Sequence, residues 1–144
     1  MTMSIPQVVI DTNVLIAAQR SKRGASSKLM SLIGTGLFDM HISVPLVLEY
    51  EAILLRQRAE LQLTPEDVAN LVDAMCALAI PHQIYFLWRP YLRDSNDELV
   101  LELAVTARCD AIITFNQQDF IGVHRFGIRV LDPGAFLSEI GERQ

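Results

Sequence analysis

Several kinds of residue are scarce in this chain of 144 residues, and each scarcity argues against a class of protein. The only two cysteines, Cys76 and Cys109, form no CxxC pair and have no histidine at metal-ligand spacing, which predicts reduced core thiols rather than disulfides. No apolar run reaches the ~18 residues that a membrane span requires. The N-terminus lacks a basic segment followed by a long apolar stretch, so export is not expected. We therefore expect a cytoplasmic protein that does not span a membrane.

Positive charge is also scarce, because 12 lysines and arginines face 17 acids and leave a net charge of −5. This balance argues against a generally basic protein that coats nucleic acid. The densest basic stretch comprises Arg20, Lys22, Arg23 and Lys28. It could contact RNA phosphates, or it could be a solvated surface loop. The content of 51% apolar residues is typical of a globular chain, and the length favours a single domain over residues 1–144.

Short apolar runs alternate with helical periods along the whole sequence. Strands are predicted at residues 7–10, 38–44, 83–87, 111–115 and 128–131. Helices are predicted after Asp11, from Pro45, after a cap at Thr64, from a possible capping box at residues 95–98, and after Asp132. The alternation predicts an α/β fold in a single three-layer domain. Its central sheet is mainly parallel with four to five strands, and helices cover both faces.

Acidic or amide side chains occur near the carboxyl ends of these strands. Asp11 follows the first strand, and Glu49 lies in the second turn of the helix after the second strand. Asp97 lies in the first turn of the next helix, and Asn116 and Asp119 follow the fourth strand. In doubly wound folds, ligands bind at this edge of the sheet where the strand order reverses. The sequence therefore predicts that four segments bring polar groups to one rim.

Two of these acids share a helix face with apolar neighbours. Glu49 is spaced three or four residues from Leu46 and Ile53, and Asp97 from Val100 and Leu101. Burying an acid on the helix face that packs against the core costs free energy unless a positive charge neutralises it. No lysine or arginine stands at a matching position in every segment. Mg²⁺ or Mn²⁺ is the simplest partner, since these ions favour carboxylate oxygens and water.

Each acid also has a simpler interpretation when it is taken alone. Asp11 could be only a helix N-cap, and Asp97 with Glu98 could complement a helix dipole. Glu49 could be a half-exposed helix acid, and Asp119 could be a turn residue. Their joint placement on one rim is what favours a functional site.

Four ordered segments carry a resemblance to a known family: VVIDTNVLIAA, VPLVLEYEAIL, RDSNDELVLELAVTARCDAIITFNQQDF and FGIRVLDPGAFL. Together they cover nearly the whole chain and resemble a PIN domain, especially the bacterial group of toxins from toxin–antitoxin pairs. The resemblance implies metal-dependent cleavage of RNA by three or four acids. By motif, Asp11 matches the first acid in DTN, Glu49 matches the acid of the helix after the second strand, and Asp97 matches the acid seven residues before Ala104.

The chain departs from the family pattern at the fourth acid. That acid usually lies at the T-x-D position after the fourth strand, where this chain has Asn116, with Asp119 three residues later. Asparagine can coordinate a metal through its carbonyl oxygen but adds no charge. The loss should weaken a second metal site more than the first, and Asp119 would compensate if the loop turns inward. Thr12, Asn13 and Thr114 resemble positions that orient the acids or metal-bound water, although helix capping and turn chemistry explain them equally well.

These observations lead to a functional prediction. We expect a metal-dependent endoribonuclease that uses Mg²⁺ or Mn²⁺, acts on RNA and is the toxin paired with an antitoxin protein. The helix from Pro45 is apolar on more than one face, which predicts a homodimer with helical surface available to the antitoxin. The alternative is a PIN-like module that binds RNA or protein and has lost catalysis. A phosphoacceptor domain built on Asp11 would need a lysine after a later strand, yet the only lysines are Lys22 and Lys28.

Overall fold

The computed structural model describes residues 4–84 and 95–141. The strands are β1 Gln7–Ile10, β2 Asp39–Ser43, β3 Ile80–His82, β4 Ala111–Ile113 and β5 Arg129–Leu131. The helices are α1 Thr12–Arg20, α2 Ala25–Ser31, α3 Val44–Arg56, α4 Pro65–Leu78, α5 Ser95–Thr106 and α6 Pro133–Glu139. Two short 3-10 helices, Gln117–Phe120 and Val123–Phe126, lie between β4 and β5. No helix in these two ranges is long and apolar enough to cross a membrane.

All five strands are parallel and lie in the order β3-β2-β1-β4-β5. The chain starts at the central strand, moves outward through β2 to β3, and then crosses by way of α5 to β4 on the other side. Crossovers between parallel strands are right-handed as a rule, and under that rule the reversal of direction predicts α5 on the face opposite α1 to α4. Helix α5 packs against β1, β2 and β4. The predicted three-layer α/β fold is therefore confirmed.

The central strands are apolar on both faces, as a sheet covered by helices on both sides requires. Val8, Val9 and Ile10 of β1 have no exposed surface, and neither do Ile112 and Ile113 of β4. Each such fully buried side chain contributes roughly 1.5–3 kcal/mol relative to an exposed one. This continuous burial fixes β1 and β4 as the rigid base on which the polar loops at their carboxyl ends rest.

The third strand lies earlier in the chain than the sequence predicts. Strand β3 is Ile80–His82, Gln83 and Ile84 lie outside any strand, and the rest of the predicted segment, residues 85–87, lies outside the described residues. Helix α4 ends at Leu78, and Ala79 is already extended. Pro81 is tolerated because β3 is an edge strand that pairs only with β2.

Other predictions about local structure have mixed outcomes. The N-cap at Thr64 is confirmed as a capping box with Asp67, and Asp132 caps α6. The side chain of Ser95, on which the predicted capping box of α5 depends, lies outside the described side chains. The prediction of two core thiols is wrong for Cys76, which is exposed on α4, whereas Cys109 is buried and both thiols are free.

Candidate active site at the ends of the central strands

The order of the strands creates a crevice beside β1. Strands β2 and β4 flank β1, and the direction of the connections reverses there, which is where open parallel sheets bind ligands. A cleft of about 410 Å³ lies at this position. It is lined by Asp11, Thr12, Asn13, Ile16, Ala17, Arg20, Glu49, Ile53, Gln57, Asp97, Asn116 and Asp119. The five residues predicted to bind metal therefore all line one cleft.

Asp11 is buried at the junction of β1 and α1, with 7% of its surface exposed. One carboxylate oxygen, Oδ1, accepts a hydrogen bond from the Thr12 amide at 2.8 Å and so caps α1. The other, Oδ2, accepts from Thr114 Oγ1 at 2.8 Å and from Asn13 Nδ2 at 3.3 Å. The helix-cap interpretation of Asp11 is therefore confirmed, and the same carboxylate also lines the cleft.

Thr114 connects the two central strands beyond the end of β4. Its side chain has no exposed surface, and its hydroxyl donates to Asp11. The same oxygen accepts hydrogen bonds from Asn13 Nδ2 at 3.2 Å and from the Asn116 amide at 3.0 Å. Asn13 Oδ1 in turn accepts from the Phe115 amide at 3.2 Å. The loop that carries Asn116 is thus fixed to Asp11 through one buried hydroxyl.

Glu49 is held in the cleft by a second threonine. Thr12 Oγ1 donates a hydrogen bond to Glu49 Oε2 at 2.8 Å, and the other carboxylate oxygen, Oε1, is buried. The residue after Glu49, Tyr50, donates its hydroxyl to the backbone carbonyl of Ile10. Burial raises the pKa of the Tyr50 hydroxyl well above its ordinary value of 10, and the negative charges of Asp11 and Glu49 raise it further. Tyr50 therefore stays protonated and remains a donor.

The remaining acids approach the cleft from two other segments. Asp97 lies in the first turn of α5 and is half-buried, and Val100 and Leu101 on its face of the helix are fully buried, as predicted. Asn116 precedes the 3-10 helix Gln117–Phe120, and the Asp119 amide bonds the Asn116 carbonyl at 3.0 Å. This turn brings Asp119 to the same cleft as Asn116, although both side chains are exposed.

The chemistry of these side chains fits a hard divalent cation. Asp11, Glu49, Asp97 and Asp119 offer carboxylate oxygens, and Asn116 offers an amide oxygen, which are the ligand types that Mg²⁺ and Mn²⁺ prefer. Within residues 4–84 and 95–141, no three histidine, cysteine or carboxylate side chains are close enough to hold a metal ion between them as they stand. The donor set is therefore suitable in kind, and its members lie along one cleft.

Of the four predicted RNA-binding residues, the cleft includes one. Arg20 lines it and is its single basic residue within the described ranges. The Arg20 guanidinium donates to Gln57 Oε1 at 2.9 Å and lies 3.6 Å from Glu60 Oε2. Lys22 and Arg23 are exposed and Lys28 is half-buried, and none of these three lines the cleft.

The side walls of the cleft consist of residues that were not predicted as site residues, although their helical spacing indicates them. Ile53 on α3 and Gln57 at its C-cap follow Glu49 at intervals of four residues. On α1, Ile16 and Arg20 follow Thr12 at the same interval, and the two helices pack against each other. Residues four apart lie on one helix face, so extending the spacing from each predicted site residue would have found both walls.

A histidine pair that the sequence does not indicate lies away from the cleft. His41 Nδ1 is 2.6 Å from His82 Nε2, and His41 Nε2 is 2.5 Å from Gln7 Oε1. Burial lowers the pKa of His41, and the neighbouring His82 lowers it further. This network joins β1, β2 and β3, and none of its members lines the acidic cleft.

These features define an α/β protein with an acidic cleft at the switch point of an all-parallel sheet. The chain belongs to the PIN domain family, whose sequence profile matches residues 7–118. The family membership expected from the sequence is thereby confirmed.

Comparison with solved structures supports the fold. A chain from the structure of VapBC2 from Rickettsia felis, bound to a DNA fragment from their promoter, is similar to this protein with a TM-score of 0.61. The match covers 88% of this chain and 99% of that chain at 12% sequence identity, so the likeness concerns the fold. Among curated proteins, no relative matches this sequence.

The central position of Thr114 generates a first prediction. Replacing Thr114 by valine should lower the free energy of unfolding by about 1–3 kcal/mol, because Asp11 loses a buried donor and the Asn116 amide loses its acceptor. Thr114→Ser retains the hydroxyl and should cost less, since it removes one buried methyl group worth about 0.8 kcal/mol. Urea unfolding monitored by circular dichroism measures both changes. A valine variant more stable than the serine variant would contradict the role of the hydroxyl.

Proposed function

We propose that this protein is a metal-dependent endoribonuclease that hydrolyses RNA phosphodiester bonds and acts as the toxin of a toxin–antitoxin pair. The observation that carries the proposal is the convergence of Asp11, Glu49, Asp97 and Asp119 on one open cleft, in which Arg20 is the one basic residue among those that the structure describes. Membership in the PIN family and the similarity to a VapBC2 chain support the same conclusion.

Asp11, Glu49 and Asp97 are the residues that we propose as metal ligands, with Asn116 or Asp119 completing the set. When bound, a divalent cation supplies Lewis acidity that lowers the pKa of water and stabilises charge on a cleaved phosphodiester. The chain orients its ligands beforehand, because Thr114 and Asn13 hold Asp11 while Thr12 holds Glu49. No nucleophilic side chain is required by this chemistry.

Arg20 is the residue that we propose to contact the RNA backbone beside the acids. It lies at the C-terminal end of α1, eight residues after Thr12, which at 1.5 Å per residue corresponds to roughly 12 Å along the helix. Its charge can pair with a phosphate that flanks the cleaved one, where it offsets the repulsion between the RNA and the acidic cleft. Lys22, Arg23 and Lys28 would then bind RNA only beyond the cleft.

A second candidate function is a PIN module that binds RNA or protein without cleaving it. Asn116 favours this alternative, because a neutral amide stands where the family pattern has an acid. Asp119 favours the nuclease, since it lines the same cleft from the next turn. Metal binding without cleavage would distinguish the binding module from the enzyme.

Asp11→Asn provides the central test of the nuclease. Asparagine remains a good helix cap but lacks the charge, so the fold should survive while cleavage of a mixed RNA substrate with Mg²⁺ or Mn²⁺ falls at least about 100-fold. Cleavage by the native protein should disappear in EDTA. The measurement is the appearance of RNA fragments over time on a denaturing gel.

Asp132→Asn is the matched control for this experiment. Asp132 also caps a helix, accepting from the Ala135 amide at 2.7 Å, but it is not part of the cleft. This variant should cleave RNA at the native rate. Equal cleavage by the Asp11 variant would show a contaminating nuclease, and absence of cleavage by every protein would favour the binding module.

Asn116→Asp tests whether the missing charge limits catalysis. A carboxylate at this position should strengthen metal binding at the outer side of the cleft and lower the Mg²⁺ concentration for half-maximal cleavage several-fold. Asp119→Asn should raise that concentration if Asp119 is the substitute ligand. Metal titrations of the cleavage rate compare the two variants. If neither variant changes the titration, the ligand set is limited to Asp11, Glu49 and Asp97.

We also propose that the protein binds a second copy of itself and an antitoxin protein. Val44 and Leu48 stand one turn apart on α3 and are 67% and 59% exposed, an arrangement that leaves apolar surface available to a partner. The similarity to a chain of a VapBC2 complex supports the antitoxin, for which co-purification with the product of an adjacent gene is the direct assay.

Leu48→Glu tests the dimer. A charge at the centre of the proposed contact should convert the protein from dimer to monomer in light scattering at tens of micromolar, without the antitoxin present. Ile121→Glu is the control, because Ile121 is 75% exposed and belongs to the segment between β4 and β5 rather than to α3. A native protein that is already monomeric would refute the homodimer.

A further inference from the structure

Tyr50 occupies an unusual position between the two innermost acids. Its side chain has no exposed surface, and its hydroxyl donates a hydrogen bond to the backbone carbonyl of Ile10. Ile10 is the last residue of β1 and directly precedes Asp11, whereas Tyr50 directly follows Glu49 on α3. One hydrogen bond thus joins the backbone of the residue before Asp11 to the side chain of the residue after Glu49.

The hydrogen bond from Tyr50 lies at the end of β1, where strand pairing continues on one side only. The Asp11 amide still bonds to the Ile113 carbonyl at 2.9 Å, so the β4 side of this junction is secured by backbone pairing. On the other side, the pairing of β1 with β2 runs from Gln7 and Asp39 to Val8 and Met40 in the described part of the chain, and β2 ends at Ser43, which caps α3. Tyr50 provides the buried Ile10 carbonyl with a donor from α3 at this point.

Packing alone does not explain a hydroxyl at this position. A phenylalanine would fill nearly the same volume, and a buried hydroxyl is costly unless its hydrogen bond is well made. The Thr12 hydroxyl, at the start of α1 two residues after β1, already donates to the Glu49 side chain at 2.8 Å. Together the two bonds fix both the backbone and the carboxylate of α3 relative to β1. A rigid two-point connection of this kind restrains the separation of Asp11 from Glu49.

We propose that Tyr50 is a positioning residue that sets the separation of Asp11 and Glu49 for a shared divalent cation. The inference rests on the proposed function, because it assumes that these acids bind a metal. Tyr50 does not touch the cation or the RNA. It acts through the backbone of Ile10 on one ligand and through α3 on the other, so that the carboxylates need little rearrangement when the cation binds.

Tyr50→Phe removes the hydroxyl and leaves the ring. The dissociation constant for Mn²⁺, measured by calorimetry on the metal-free protein, should rise about tenfold, the usual cost of losing a residue that supports metal ligands. The Mg²⁺ concentration for half-maximal RNA cleavage should rise by a similar factor. The cleavage rate at saturating Mg²⁺ should largely recover, because excess metal restores occupancy of the site.

Phe136→Leu is the control for a merely structural effect. Phe136 is buried on α6, in edge-to-face contact with Phe38, and is not part of the cleft. It should lower the thermal midpoint while leaving Mn²⁺ affinity unchanged. Native-like Mn²⁺ affinity in Tyr50→Phe would overturn the proposal, and so would an equal loss of affinity in Phe136→Leu.

The titration of the unmodified protein separates this inference from the proposed function. If the native protein binds no Mn²⁺, or if Asp11→Asn binds it equally well, the metal site itself is refuted and the role of Tyr50 is refuted with it. If the native protein binds Mn²⁺ through Asp11 and Tyr50→Phe binds it as tightly, only the role of Tyr50 is refuted.

Discussion

The buried carboxylate of Asp11 is the constraint on which the rest of the site depends. A charged group at the end of a fully apolar strand is costly unless several donors meet it, and here the Thr12 amide, the Thr114 hydroxyl and the Asn13 amide group do so. Those donors come from both α1 and the end of β4. The carboxylate can therefore be accommodated only where β1 and β4 are neighbours, which is the switch point of the sheet.

Satisfying Asp11 also organises the surrounding loops. The Thr114 hydroxyl donates its hydrogen to Asp11, so its oxygen can accept hydrogen bonds from the Asn13 side chain and the Asn116 amide. These bonds fix the loop that leads to Asp119. Thr12, whose amide is capped by Asp11, in turn offers its hydroxyl to Glu49. The same few groups that stabilise one buried charge thus determine where the other cleft residues lie. Structural and functional interpretations of Asp11 are compatible for this reason.

Much of this arrangement follows from sequence patterns, and the exceptions have physical causes. The apolar runs around Asp11 and Thr114 predict buried parallel strands, and parallel strands bring their carboxyl ends to one edge, so the meeting of the acids could be predicted. The position of β3 could not be predicted, because a proline such as Pro81 usually interrupts a strand. A proline is accommodated here because β3 lies at the edge of the sheet. The exposure of Cys76 depends on which face of α4 meets the core. Hydrogen bonds such as that of Tyr50 to Ile10 depend on tertiary packing that no local pattern encodes.

The inner and outer parts of the cleft differ in preorganisation, and this difference bears on the choice between enzyme and binding module. Asp11 and Glu49 are held by buried hydroxyl groups, whereas Asn116 and Asp119 are exposed on a short turn. Rigid, partly desolvated carboxylates bind a cation with little rearrangement, while exposed groups must give up solvent and mobility first. A neutral amide at Asn116 therefore weakens the part of the site that is already the less rigid. In the proposed nuclease, Asp11 and Glu49 would hold the first cation, and one cation can both polarise a phosphodiester and activate water.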